Sequence, residues 1–87
     1  MNDWVLIVDD EAMIRENLKA YLEDEGLRVA AFGSVVPALG WLREGGAGRV
    51  CIMDMRLPDM DGNSAIRILR QYYPDMEFLI HTGSSSY

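Results

Sequence analysis

The sequence predicts an α/β domain, an open parallel sheet with helices on both faces. Two observations and one general rule predict it. Four short apolar runs alternate with three stretches of helical periodicity, in the order βαβαβαβ. The apolar runs are nearly continuous instead of alternating with polar residues, as strands covered on both faces should be. With right-handed crossovers, that alternation builds an open parallel sheet. A chain of 87 residues holds one such domain, with a modest core.

The first run, "WVLIV" at 4–8, stops at Asp9-Asp10-Glu11. Ile14, Leu18, Tyr21 and Leu22 then fall on one helical stripe, with Arg15, Glu16, Lys19 and Glu23 off it. Gly26 is the natural stop. Leu27–Phe32 reads as the second strand. Ser34 is placed to cap a helix running to about Glu44, with Val35, Ala38, Leu39 and Leu42 inward and Pro37 tolerated near its start. The glycines of "GGAG" at 45–48 precede a strand instead of following one, which excludes a dinucleotide-binding fingerprint. Arg49–Asp54 is the third strand. Asn63 or Ser64 is expected to cap a third helix, with Ile66, Leu69, Tyr72 and Tyr73 inward and Pro74 as the stop. Glu77–Thr82 is the fourth strand, and "GSSSY" follows from Gly83.

Composition narrows the function. The net charge is −6, with one lysine and scattered arginines, so a phosphate-binding nucleic-acid surface or an anionic-lipid surface is not expected. Cys51 is the only cysteine and lies in an apolar run, so it reads as a core residue. The lack of any possible intrachain disulfide suits a reducing cytoplasm. No basic leader precedes an apolar stretch, and no apolar run approaches membrane-spanning length.

Ligand sites in open parallel sheets form beyond the carboxyl ends of the strands. The first strand ends at Asp9 and Asp10, the third at Asp54 and the fourth at Thr82. If the first and third strands are neighbours, three carboxylates and a hydroxyl share one rim. At about 5 Å and an effective dielectric near 20, each carboxylate pair repels by roughly 3 kcal/mol. Either one acid retains its proton or a cation sits among them. An all-oxygen site with room for water suits Mg2+. A carboxylate so placed could act as a nucleophile and form an acyl phosphate.

The motifs "LIVDDE" at 6–11, "MDMRLPDMDG" at 53–62 and "HTGS" at 81–84 resemble those of response-regulator receiver domains of two-component signalling. The resemblance runs through the whole chain. It implies a flavodoxin-like fold with strand order 2-1-3-4, and it assigns roles. Asp54 matches the phosphoacceptor, served by a sensor histidine kinase or a phosphotransfer protein. Asp10 matches the direct Mg2+ ligand and Asp9 the acid that helps hold the metal. Arg56 matches the residue whose backbone carbonyl completes the metal site. Thr82 matches the hydroxyl that hydrogen-bonds the phosphoryl group, and Gly83 the small residue that leaves it room. Such a domain transfers a phosphoryl group onto and off itself and is not otherwise an enzyme.

The family continues with a fourth helix, a fifth strand ending in a lysine, and a fifth helix. Residues 1–87 therefore resemble a receiver fragment without its last helix-strand-helix portion. Lys19, in the middle of the first helix, cannot replace the missing lysine. The rival expectation is a scaffold without phosphotransfer competence that self-associates through the exposed edge of the fourth strand.

Other readings of the motifs fare worse. Aligning Gly62 with the glycine of a calcium loop puts Ile68 where a bidentate glutamate belongs. A haloacid-dehalogenase-type nucleophile needs an acid two residues on, which only Glu11 after Asp9 supplies, and the rest of that motif is missing. Asp59 and Asp61 read as turn formers, His81 as a strand-packing residue, and Met13, Met53, Met55, Met60 and Met76 as ordinary core or loop residues.

Overall fold

A computed structural model of the chain describes residues 4–81. The elements are β1 (Trp4–Val8), α1 (Ala12–Asp24), β2 (Arg28–Phe32), α2 (Val35–Arg43), β3 (Val50–Asp54), α3 (Gly62–Tyr72) and β4 (Glu77–His81). The four strands form one parallel sheet in the order β2-β1-β3-β4. The fold class is the one the sequence pattern predicts, and the strand order is the one the family resemblance implies. β2 and β3 each begin one residue later than expected.

Successive side chains of a strand point to opposite faces, and the core divides accordingly. Leu6, Val8, Cys51 and Met53 face one way and pack under α2 and α3, through Val35, Ala38, Leu42, Ala65 and Leu69. Val5, Ile7 and Val29 face the other way, where Leu18 and Leu22 of α1 cover them. Helices therefore lie on both faces, with β1 and β3 in the middle. Burial pushes the Cys51 thiol up to about 12, so it stays neutral and behaves as a small apolar core residue.

The helical stripes extend further in sequence than the core does in space. Tyr21, expected inward, is 63 % exposed, and no residue of α1 is fully buried. Tyr21 lines an open apolar groove of about 540 Å³ together with Ile14, Leu18, Ile52, Leu79 and Ile80. Tyr72, also expected inward, is 64 % exposed. It ends α3 and lines a shallow pocket with Gly46–Gly48 instead of reaching the core. Met13 is exposed in the first turn of α1, neither core nor loop.

The caps differ from expectation as well. α3 begins at Gly62, so Asn63 and Ser64 lie inside it and Asp61 is the N-cap. The Ser64 N–H donates to Asp61 Oδ1 at 2.7 Å, and the Ser64 hydroxyl donates to Oδ2 at 3.2 Å. These bonds hold the Asp61 carboxyl below the usual carboxylate range. Ser34 occupies the N-cap position of α2 but makes no side-chain cap bond. Asp59, from the loop before α3, accepts there instead. Asp59 and Asp61 are thus helix caps and not merely turn formers. Gly26 ends α1 with a φ of 93°, a conformation that favours glycine. Among the described residues, no helix is long and apolar enough to cross a membrane.

Candidate functional site

β1 and β3 are adjacent and parallel, with Val8 opposite Met53. One residue further along each strand, Asp9 and Asp54 come abreast at the carboxyl end of the sheet. One carboxylate oxygen from each of Asp9, Asp10 and Asp54 lies within 4.8 Å of the other two. Asp9 is 1 % and Asp54 8 % exposed, whereas Asp10 faces solvent. The cluster is therefore walled by the sheet and open on the Asp10 side. This is the convergence that the strand ends predict.

Backbone groups orient the acids. The Asp9 N–H donates to the Phe32 carbonyl at 3.0 Å, extending the β1–β2 ladder by one residue. Asp9 Oδ1 accepts from the Glu11 N–H at 2.9 Å, and the Asp9 carbonyl accepts from Arg15 Nη1 at 2.8 Å. Asp54 Oδ1 accepts from the Arg56 N–H at 3.2 Å, which folds the start of the 55–61 loop back towards the strand end. Gly62 brings α3 close to that end. Its N–H donates to the Met55 carbonyl at 2.9 Å. A Cβ at Gly62 would meet Met55 Cα at 3.0 Å and the Asp54 carbonyl oxygen at 3.1 Å, backbone atoms that yield little.

The donor set fits a small hard cation. It consists of carboxylate oxygens held by backbone N–H groups, with an open side for water, as Mg2+ prefers. At 4.8 Å the mutual repulsion of the acids stays near the 3 kcal/mol per pair expected from the sequence. A divalent cation offsets it directly.

Of the other expected site residues, Arg56 lies in the loop just past Asp54, its side chain exposed and its N–H on the Asp54 carboxylate. Thr82 and Gly83 lie outside the described residues. Lys19 pairs with Glu23 at 3.3 Å, one turn along α1. The sequence alone marks Asp59 only as a turn former, Gly62 only as a rejected calcium-loop glycine and Arg15 only as a residue off the α1 stripe. For Gly62 the signal was present: a glycine opening a helix eight residues after a strand-end acid marks a close backbone approach. Arg15 and Asp59 act across segments, which local sequence does not show.

Residues 5–87 match the response regulator receiver domain family. The chain is 34 % identical over 79 residues to the C4-dicarboxylate transport transcriptional regulatory protein DctD of Rhizobium meliloti. That match covers 91 % of this chain and 17 % of DctD. A CheY-like response regulator receiver domain protein from Methanospirillum hungatei superposes with a TM-score of 0.85 at 28 % identity, over 92 % of this chain and 63 % of its own. The response regulator protein TrrA of Thermotoga maritima, solved in complex with Mg2+ and BeF, superposes with a TM-score of 0.80 at 29 % identity, over 92 % of this chain and 68 % of its own. The chain thus spans less than a fifth of DctD, and about two thirds of these two solved chains.

Proposed function

The chain belongs to the response regulator receiver domain family of two-component signalling, and on that premise we propose that Asp54 is its phosphoacceptor. The donor is a sensor histidine kinase or a phosphotransfer protein, and the signal is relayed by conformational change. The observation that carries the reading is the convergence of Asp9, Asp10 and Asp54 at the ends of two adjacent parallel strands. Residues 1–87 are read as the part of a receiver domain that holds this cluster.

An Asp54 carboxylate oxygen attacks the phosphorus of the donor's phosphohistidine. An O–P bond forms, the P–N bond breaks, and the imidazole nitrogen keeps that electron pair. The Arg56 N–H orients the nucleophile from one side, and the exposed Asp10 side leaves a path for the donor. Asp9, Asp10, Asp54 and the Arg56 carbonyl would hold Mg2+, which when bound neutralises charge on the phosphoryl oxygens. The Thr82 hydroxyl would donate to the phosphoryl group and Gly83 would leave it space. Self-phosphorylation and hydrolysis of its own acyl phosphate are the only reactions in this reading. The negative net charge fits a domain without direct nucleic-acid binding, and the single cysteine suits a cytoplasmic one. A scaffold without phosphotransfer competence has less support, because nothing structural requires three acids to be crowded together.

Calorimetric Mg2+ titration and mass measurement test the reading. Saturable, weak Mg2+ binding is expected, as for an open all-oxygen site with few protein ligands. A small phosphodonor with Mg2+ should add one phosphoryl group slowly. Equal heats from the protein and from Asp10→Ala would remove the metal site from the proposal.

Self-association through the β4 edge is proposed as well, and it does not depend on the scaffold reading. Among the described residues no strand pairs with the outer side of β4, and Leu79 and Ile80 are 56 % and 47 % exposed. An apolar edge of this kind invites a second copy to extend the sheet. Sedimentation of the 87-residue chain should show mass rising with concentration, and Ile80→Lys should suppress it. A monomer at every concentration would rule this out.

A further inference from the structure

The 55–61 loop carries the Arg56 backbone, and it is fastened at three places. At its start the Arg56 N–H binds Asp54 Oδ1. At its end Arg56 bridges to Asp61, and the Gly62 N–H binds the Met55 carbonyl. Those two fastenings stay within the strand-loop-helix segment. The third does not. Asp59 Oδ1 accepts from the Val35 N–H at 3.1 Å, and Oδ2 accepts from the Val36 N–H at 2.9 Å. These are the first two N–H groups of α2, distant in sequence and left uncapped by the Ser34 side chain.

The chemistry of this contact is favourable at both ends. A helix N-terminus presents N–H groups without intrahelical partners and a positive partial charge, and an ionised carboxylate satisfies both. Slight burial pushes the Asp59 carboxyl up, but the Val36 and Val35 N–H groups, with its own and that of Met60, hold it below the usual range. The contact is thus a two-point clamp with an ionised acceptor.

We infer that Asp59 is a positioning residue for the acid cluster, clamping the 55–61 loop to the first turn of α2 and so holding the Arg56 backbone where the cation site needs it. The inference rests on the proposed Mg2+ site and deepens it. Asp59 stands three residues past Arg56 and five past Asp54, and among the described residues its carboxylate makes the only hydrogen bonds from the middle of this loop to α2. Linkage makes the effect reciprocal. If the clamp favours the cation-binding arrangement of the loop, cation binding must tighten the clamp by the same free energy.

Two readouts test this in the 87-residue chain, with urea denaturation used to choose conditions where every variant is folded. Mg2+ affinity should fall about tenfold in Asp59→Ala, as for other residues that support a metal ligand. It should fall less in Asp59→Asn, which keeps one acceptor oxygen. Mg2+ should also slow amide exchange at Val35 and Val36 in the parent protein and not in Asp59→Ala. A cap with a purely structural role would lower the urea midpoint and leave both readouts unchanged. Equal Mg2+ affinity in the parent and Asp59→Ala therefore overturns the inference while leaving the proposed function intact. If Asp59→Ala does not fold, equal affinity in the parent and Asp59→Asn overturns it instead. No Mg2+ binding by the parent protein overturns both.

Discussion

Asp54→Asn is expected to abolish phosphoryl uptake and, without divalent cations, to make the fold more stable. The substitution keeps the shape of the side chain and the oxygen that accepts from the Arg56 N–H. It removes the nucleophilic carboxylate, so no acyl phosphate can form at that position. It also removes one charge from a cluster whose acids lie within 4.8 Å of one another. Two of the three repulsive pairs disappear. Solvent on the Asp10 side screens part of the repulsion, so the expected gain is on the order of 1–3 kcal/mol. Mass measurement after incubation with a phosphodonor and Mg2+ reads the first effect. Urea denaturation with a chelator reads the second. Adding Mg2+ should shrink the difference, because the cation binds and stabilises the parent more than the variant. Label surviving in Asp54→Asn would place the phosphoacceptor elsewhere. A chelated variant less stable than the parent would show that the crowded acids carry little cost.

Acids at the ends of apolar strands are what made this carboxylate cluster legible in the sequence. A strand that runs through Val50, Cys51, Ile52 and Met53 into Asp54 contradicts its own hydrophobic pattern, and such conflicts collect at functional sites. Two strands of this kind, ending at Asp9 and Asp54, are enough to predict the rim once β1 and β3 are neighbours. The element order was legible for a similar reason: period-two and period-3.6 patterns are local, and each run was bounded by glycine, proline or acids.

What was not legible depends on contacts between segments. The helical stripe of α1 includes Tyr21, but whether a stripe residue is buried depends on what lies opposite, and opposite Tyr21 is an open groove. Tyr72 continues the stripe of Leu69 by one turn, yet at the end of α3 it is Tyr73, the C-cap residue, that packs against the core while Tyr72 stays exposed. Asn63 and Ser64 were plausible caps for α3, but Asp61 opens the helix two residues earlier. A carboxylate reaching the third N–H decides between such candidates only once the backbone is built. Asp59 is the clearest case. Next to Pro58 it has the sequence signature of a turn residue, while its carboxylate spans to Val35 and Val36 on another helix.

Leu69→Ala should be the most damaging single truncation on α3. Leu69 is fully buried and packs in the cluster that joins α2 and α3 to the sheet through Leu6, Val8, Cys51 and Met53. Removing a buried leucine side chain loses its transfer energy and leaves a cavity, together about 3–4 kcal/mol. A domain of this size has a total stability on the order of 4–13 kcal/mol. The variant therefore loses a large share of it, and at the lower end barely folds. Tyr72→Ala, one turn further along the same helix, serves as the comparison. That side chain is mostly exposed, so its loss should cost less than about 1 kcal/mol. Urea midpoints with equal slopes measure both. Because Leu69 belongs to the apolar core between α3 and the sheet and is none of the clustered acids, its loss should act on phosphoryl uptake only through the folded fraction. Saturating Mg2+ should then recover part of that uptake by drawing the unfolded chain back to the binding-competent state. Equal costs for the two substitutions would contradict the packing of α3. A loss of uptake in Leu69→Ala samples shown to be fully folded would mean that this core face and the acid cluster are mechanically coupled.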